Sequence, residues 1–380
     1  MNGALADARV MRPILIGWCV AGLVCGLLLS ANVVSAQVAA SRADYSQADL
    51  MLGVLRAASR GPLSVTDIDA VLTARGTRLL VAQQNISRAV SMDQYRVLLQ
   101  NLHRADPPDI APVDTGERAR RGVDGLRHDV WTGLRWGIAN VETLAQRVNQ
   151  LKSLDLADTA RTTAISFLPE AVPIDAQLHV VIGGRAGASV VEGNVLYVDV
   201  LALSFAAERS GTRYAPDPAF FAHEMHHIGL AGIVDRAWAR LTPSSTEQRA
   251  FRVVRFLALE GSATYLINAH RNVAELGDLT PSVQLIRTTE QILKGALDGS
   301  LEGEAFEKAL TPMVAGGFHF AGAVMFGAID RGGGLPAVMD VLRDPRRLLV
   351  AYNEAVSKLG SGSTPMVDPD LAKRLAAAGR

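Results

Sequence analysis

Residues 223–227 read His-Glu-Met-His-His. On an α-helix each residue advances about 100°, so His223 and His227 stand roughly 40° apart and about 6 Å along the axis. Two imidazoles so arranged reach one metal ion. Glu224 falls in the adjoining sector, near enough to hold a water on that ion without displacing it. The pattern carries this chemistry only on a helix that is at least partly buried, and the flanking residues agree. Asp217-Pro218 reads as an N-cap followed by proline at the first helical position. Phe220, Phe221, Met225 and Ile228 supply an apolar face, and Gly229 and Gly232 offer places to stop. The alternative is a core helix with a chance cluster of histidines.

A catalytic zinc site takes three protein ligands and keeps one position open. One known continuation puts glycine three residues after the second histidine and a third histidine three further on. Here those positions are Leu230 and Ile233, so that route is closed. The other common solution is a glutamate from a later helix. Ser244 and Glu247 have the spacing of a capping box, and Phe251, Val254, Leu257, Ala258 and Leu266 give the helix they start a buried face. Glu260 lies within it among apolar neighbours, where a lone carboxylate is costly unless a partner or a metal neutralises it. Gly261 and Ala263 keep the surroundings small, so another helix can approach closely. The alternative for Glu260 is a salt-bridged or solvent-facing carboxylate.

His223-Glu224-x-x-His227 followed by Glu260-Gly261-x-Ala263 resembles the gluzincin metallopeptidases, and in particular the uncharacterised zinc-dependent peptidase families of bacteria. The likeness runs from about residue 175 to 355. It implies a zincin-like catalytic core and one Zn2+ ion as cofactor, with His223, His227 and Glu260 as metal ligands. Glu224 is then the general base, taking a proton from the attacking water and passing it to the leaving amine. One position departs from the pattern. Some gluzincins carry an aspartate four residues after the ligand glutamate, to orient a histidine; here Thr264 stands there, which leaves that orienting partner unassigned.

Such sites often add a donor for the developing oxyanion. Tyr265, His270 and His319 are the candidates. His319 is the one strongly polar side chain near the middle of the apolar and glycine-rich run from Met313 to Ile329. The related peptidases often have a tyrosine three residues before the glycine of a Gly-x-x-Met segment, and His319 occupies that place before Gly322 and Met325. A catalytic role for His319 and a satisfied core histidine both remain open. Tyr265 falls about 140° round the helix from Glu260 and faces elsewhere, and His270 reads as a capping or surface residue. His226 reads as a packed, hydrogen-bonded histidine, and His103, His128 and His179 have no companion at ligand spacing.

The N-terminus has Arg9 and Arg12, an apolar run from Pro13 to Leu29, and Val34-Ser35-Ala36 before Gln37. This is the three-part form of a secretory signal peptide cleaved after Ala36, and it predicts a periplasmic or secreted bacterial protein. If the segment is not cleaved, it becomes a membrane anchor. Both cysteines of the chain, Cys19 and Cys25, lie inside it, so the mature chain has neither disulfides nor thiolate ligands. With 38 basic and 38 acidic residues and no basic stripe interleaved with aromatics, nucleic acid is not an expected partner. The expected partner is a peptide or protein substrate. The run from Met313 to Ile329 reads as a buried core helix rather than a membrane span.

The expected organisation is a signal peptide over 1–36, a helical N-terminal region over 37–165, a zincin-like domain over 166–360 and a flexible tail over 361–380. Ser64 with Asp67 and Ser91 with Gln94 mark helix starts in the N-terminal region. Residues 178–182 and 195–200 are β-rich, with turn chemistry at Glu192-Gly193-Asn194. Thr280-Pro281 and Thr311-Pro312 read as further helix starts, and Gly332-Gly333-Gly334 as a break. The fold class is α+β: helix-dominated, with a small antiparallel sheet before the motif helix. In gluzincins an edge strand there takes extended peptide into the sheet; plain scaffold is the alternative. The function expected is an exported zinc peptidase. The competing readings are a catalytically inactive zincin-fold binding protein of the cell envelope and a zinc hydrolase of a non-peptide bond.

Overall fold

A computed structural model describes residues 43–88, 91–109, 130–183, 188–192, 194–209, 218–277, 280–360 and 365–379. The signal-peptide segment, Asp217 and His128 lie outside these residues. The chain begins with helices α1 (Ser46–Ala58), α2 (Val65–Thr73), α3 (Arg75–Arg88), α4 (Met92–Asn101), α5 (Thr132–Ala139), α6 (Val141–Ser153) and α7 (Leu156–Ser166). Strands β1 (Gln177–Val181), β2 (Ala188–Glu192) and β3 (Val195–Asp199) follow, and then α8 (Val200–Arg209), α9 (Pro218–Trp238) and α10 (Ser245–Ala263). Beyond them come α11 (Thr280–Asp298), α12 (Gly303–Pro312), α13 (Phe318–Arg343), α14 (Leu348–Leu359) and α15 (Pro369–Ala377). The buried apolar side chains form one continuous core from Ala48 to Ala378. The expected caps are present: Ser64 accepts from the Asp67 N–H, and Ser91–Gln94 and Ser244–Glu247 each close a full capping box.

The sheet differs from the antiparallel one expected. Its order is β1-β3-β2, with β1 parallel to β3 and β2 antiparallel to β3. The expectation joined 178–182 directly to 195–200 because Ala188–Glu192 does not announce itself as a strand. Once that segment pairs with β3 as a hairpin, β3 falls between the other two strands, and the route from β1 to β3 becomes a parallel crossover. Strand β3 is buried along its whole length, as a central strand must be. It leads directly into α8, where Asp199 Oδ1 accepts from the N–H groups of Leu201 and Ala202 and, across the fold, of Gly183. On the far side of β1, Asp44 makes a short parallel bridge to His179. Among the described residues no strand pairs with the outer edge of β2, and β2 lies against α9.

Helices α9, α10 and α13 carry the residues of interest. The approach of α10 to α13 is limited by two glycines. A Cβ on Gly261 would stand 2.4 Å from the Gly322 Cα, and one on Gly322 would stand 2.6 Å from the Gly261 Cα. The two helices therefore meet backbone to backbone, and any side chain at either position would force them apart. Gly229, expected as a place for α9 to stop, has the same kind of role. The helix runs on to Trp238, and a Cβ at Gly229 would meet Leu168 Cδ1 at 2.5 Å. Close packing, and not termination, accounts for this glycine.

Three further expectations are revised. Thr311-Pro312 ends a helix rather than starting one. Pro312 closes α12, and a π-helical turn over Met313–Gly317, with Gly316 at φ 132°, leads into α13. The three glycines at 332–334 kink α13 at Gly334 without ending it. In the tail, residues 365–379 are held firmly: the Tyr352 hydroxyl donates to Pro365 O, Asn353 bonds Val367 in both directions, and Arg346 donates to Ala378 O. Short polar segments read as loose in sequence because nothing local shows that buried partners on another helix wait for their backbone.

Candidate metal centre

Helix α9 is buried along most of its length, so both motif histidines and Glu224 point into the protein. Glu260 enters from α10 and His319 from the first turn of α13. Glu260 Oε2 is the hub. It lies 3.1 Å from His227 Nε2, 3.3 Å from His319 Nε2 and 3.6 Å from His223 Nε2. The ligand atoms of His223, Glu260 and His319 all fall within 4.8 Å of one another, as do those of His223, Glu224 and His227. The rings of His223 and His227 meet edge to face with centroids 4.5 Å apart. The side chains of His223 and His227 are about 5 % exposed or less, against 15 % for Glu260, so the cluster opens towards solvent on the Glu260 side.

Two partners that sequence reasoning missed lie just after Glu260. Asn268 Oδ1 is 2.5 Å from His223 Nδ1, and Thr264 Oγ1 is 3.0 Å from His319 Nδ1. With Asn268 as acceptor, His223 carries its proton on Nδ1 and turns the lone pair of Nε2 to the centre. The residue left unassigned as a histidine-orienting partner therefore serves His319, and His223 is oriented from one turn further on. The backbone explains how. Residues Thr264–Asn268 form a π-helical turn, with the Ala269 N–H bonded to Thr264 O. An i→i+5 turn advances less per residue than an α-helix, so Asn268 stays back on the Glu260 face instead of drifting past it. The only sequence signal was the spacing: Thr264 at four and Asn268 at eight residues after Glu260.

The turn is itself braced. The Tyr265 hydroxyl donates to Asp330 Oδ2 at 2.8 Å, and Arg271 grips both oxygens of the same carboxylate. Tyr265 therefore faces away from the centre, as its position on the helix implied. His270 is exposed with φ 46° and takes no part. His226 is fully buried, with Nε2 3.3 Å from Phe167 O, and burial pushes its pKa down to about 3. It is a packing histidine behind the centre.

The electrostatics suit a cation. Burial works to raise the Glu260 carboxyl, yet the neighbouring imidazoles, His227 foremost, hold it well below the usual range. Burial opposes charge on His227, and the adjacent Glu260 more than offsets this, so its pKa is raised. Burial pushes His319 down to about 4. Burial raises the Glu224 carboxyl against the pull of His227 and His223. A largely buried carboxylate is thus kept ionised by the positive charge favoured on His227 beside it, the same requirement a divalent ion would meet. His223 Nε2 is buried with no hydrogen-bond partner, a lone pair aimed at the centre with nothing protic to receive. Imidazole and carboxylate donors without sulfur fit zinc.

No curated protein and no solved structure matches the chain. One family does match, over residues 69–361, a span that takes in the sheet, the motif helix, Glu260, the π-helical turn and His319. The chain belongs to that family, described as "Putative zinc dependent peptidase" (DUF5700).

Proposed function

We propose that the protein is an exported zinc peptidase of the gluzincin type. In this reading His223, His227 and Glu260 hold one zinc ion and Glu224 is the general base. The observation that carries it is the convergence of the two motif imidazoles on Glu260, with Glu224 buried beside them. Zinc in such a setting lowers the pKa of a water towards neutrality and polarises a carbonyl. The chain's own residues supply the rest. Glu224, its pKa raised by burial, takes the proton of the attacking water and later delivers it to the leaving amine. Asn268 holds His223 in the tautomer that leaves Nε2 free. His319, at the more open side of the cluster, donates from Nε2 to the carbonyl oxygen as it gains charge, with the Thr264 hydroxyl donating to Nδ1 to keep that tautomer.

Family membership supports a peptide or protein substrate. The outer edge of β2, beside α9, is suited to take extended peptide by strand addition. Export rests on the N-terminal segment, and no described helix is long and apolar enough to cross a membrane. The test is to measure bound zinc and cleavage of a peptide library with the purified protein. Glu260→Ala should lower zinc occupancy; unchanged occupancy would remove Glu260 from the site. The intact Glu224 speaks against an inactive binding protein, which has no need of a base.

A further inference from the structure

We propose that His319 is a fourth metal-ligating residue, which closes the site when no substrate is bound, and that Thr264 is its positioning residue. The proposal rests on reading the cluster as a zinc centre and adds a resting state to it. A tetrahedral ion with bonds of ~2.0–2.2 Å to nitrogen and oxygen needs donor atoms about 3.3–3.5 Å apart. The distances from Glu260 Oε2 to the three Nε2 atoms, 3.1, 3.3 and 3.6 Å, straddle that edge length, and His319 sits between the two motif histidines in the series. By distance from Glu260, nothing separates His319 from the residues assigned as ligands. An oxyanion donor needs to stand further back than the ligands by the width of the substrate oxygen, and the distance of His319 Nε2 from Glu260 falls between those of the motif imidazoles.

The supporting contacts point the same way. Metal-bound histidines nearly always give their other ring N–H to an oxygen. His223 has Asn268 Oδ1 for this, and His319 has Thr264 Oγ1. Both oxygens come from the same short stretch after Glu260, one at each end of the π-helical turn. Two of the three imidazoles around the carboxylate are thus held by one device, and His319 is one of them. His227, by contrast, has its Nδ1 buried with no partner and is fixed through Glu260.

Four protein ligands leave no open position, the arrangement of a structural rather than a catalytic zinc site. Turnover then requires His319 to leave the position that substrate or water takes. Thr264 permits this in a way a carboxylate would not. As ligand, His319 keeps its proton on Nδ1 and donates it to Thr264 Oγ1. As donor to substrate, it keeps the proton on Nε2 and accepts from the Thr264 hydroxyl. A hydroxyl serves both tautomers.

The test reads the metal and does not depend on activity. The full-length protein and its variants are titrated with Co2+ in competition with a chelator, and the visible absorption of the bound cobalt is recorded. His319→Ala should weaken binding by at least tenfold and change the spectrum, and added imidazole should restore the wild-type spectrum. Thr264→Val should weaken binding within about the 10–100-fold range of lost orienting partners, and Thr264→Ser should not. Wild-type affinity and spectrum in both His319→Ala and Thr264→Val would overturn the proposal. His223→Ala separates this from the underlying reading. If it loses cobalt while His319→Ala does not, only the closure is wrong; if it too binds as wild type, the zinc centre is wrong. Should His319→Ala fail to fold, the Thr264→Val and Thr264→Ser pair decides.

Discussion

Replacing Gly261 by alanine should damage both the fold and the metal centre, although the same change in an open helix is favourable. Alanine gains about 0.8–1.0 kcal/mol over glycine inside a helix. At Gly261 the new methyl would stand 2.4 Å from the Gly322 Cα and 2.6 Å from its carbonyl carbon. Carbon atoms rest at about 3.5–4.0 Å, so α10 and α13 must part by at least about 1 Å, and the obstacle is backbone that has no rotamer to change. Overpacking of this kind costs about 1–3 kcal/mol, which leaves up to about 2 kcal/mol of net destabilisation after the helical gain. The displacement also bears on the site, because Gly261 follows Glu260 directly and Gly322 lies one turn beyond His319. An ångström of separation stretches the 3.3 Å gap between Glu260 and His319. Metal affinity should fall on the order of 10–100-fold, as when a supporting group of a metal site is lost. Denaturant unfolding of the metal-free protein and a competitive metal titration measure the two effects. Gly53→Ala is the control, since Gly53 lies on α1 with nothing within 4 Å of the added methyl, and it should be neutral or stabilising. If Gly261→Ala behaves like Gly53→Ala in both assays, the backbone contact between α10 and α13 is not what sets the spacing of the site.

Asn268→Ala should lower metal affinity about 10–100-fold with little change in the stability of the metal-free protein, because it frees His223 to turn; equal affinities by competition titration would show that His223 needs no such support. His179 gives a pH prediction away from the centre. It is buried on β1 with Nδ1 3.0 Å from Asp44, and burial together with the charge of Arg75 lowers its pKa by more than Asp44 restores. The folded protein therefore resists a proton that the unfolded chain accepts below about pH 6.5, and stability drains away as the pH falls through that value. His179→Gln should flatten the loss of unfolding free energy between about pH 7 and pH 5; superimposable acid limbs would contradict the assignment.

The motif helix, the glutamate helix and the need for a close helix partner at Gly261 were legible in the sequence. They depend on spacing along one element and on the size of single residues. The capping boxes at Ser91 and Ser244 were legible for the same reason. The direction of β1 against β3 was not, because alternation records which face is buried and says nothing about which neighbour a strand joins. Asn268 was missed because helical periodicity assumes one pitch, and the π-helical turn changes it at Thr264. Gly229 and Pro312 were misjudged as punctuation. The first is a packing contact with Leu168, and the second leads into a π-helical turn. The first outcome depends on a partner distant in the chain.

The most direct test of the central claim is Glu224→Gln. The substitution keeps the size of the side chain on the buried motif helix and removes only its capacity to take a proton. The variant should bind zinc in the same amount and with the same affinity as the wild type, and should lose peptide hydrolysis by a factor of about 100 or more. A variant that retains both its zinc and wild-type cleavage would contradict the assignment of Glu224 as the base and, with it, the proposed mechanism.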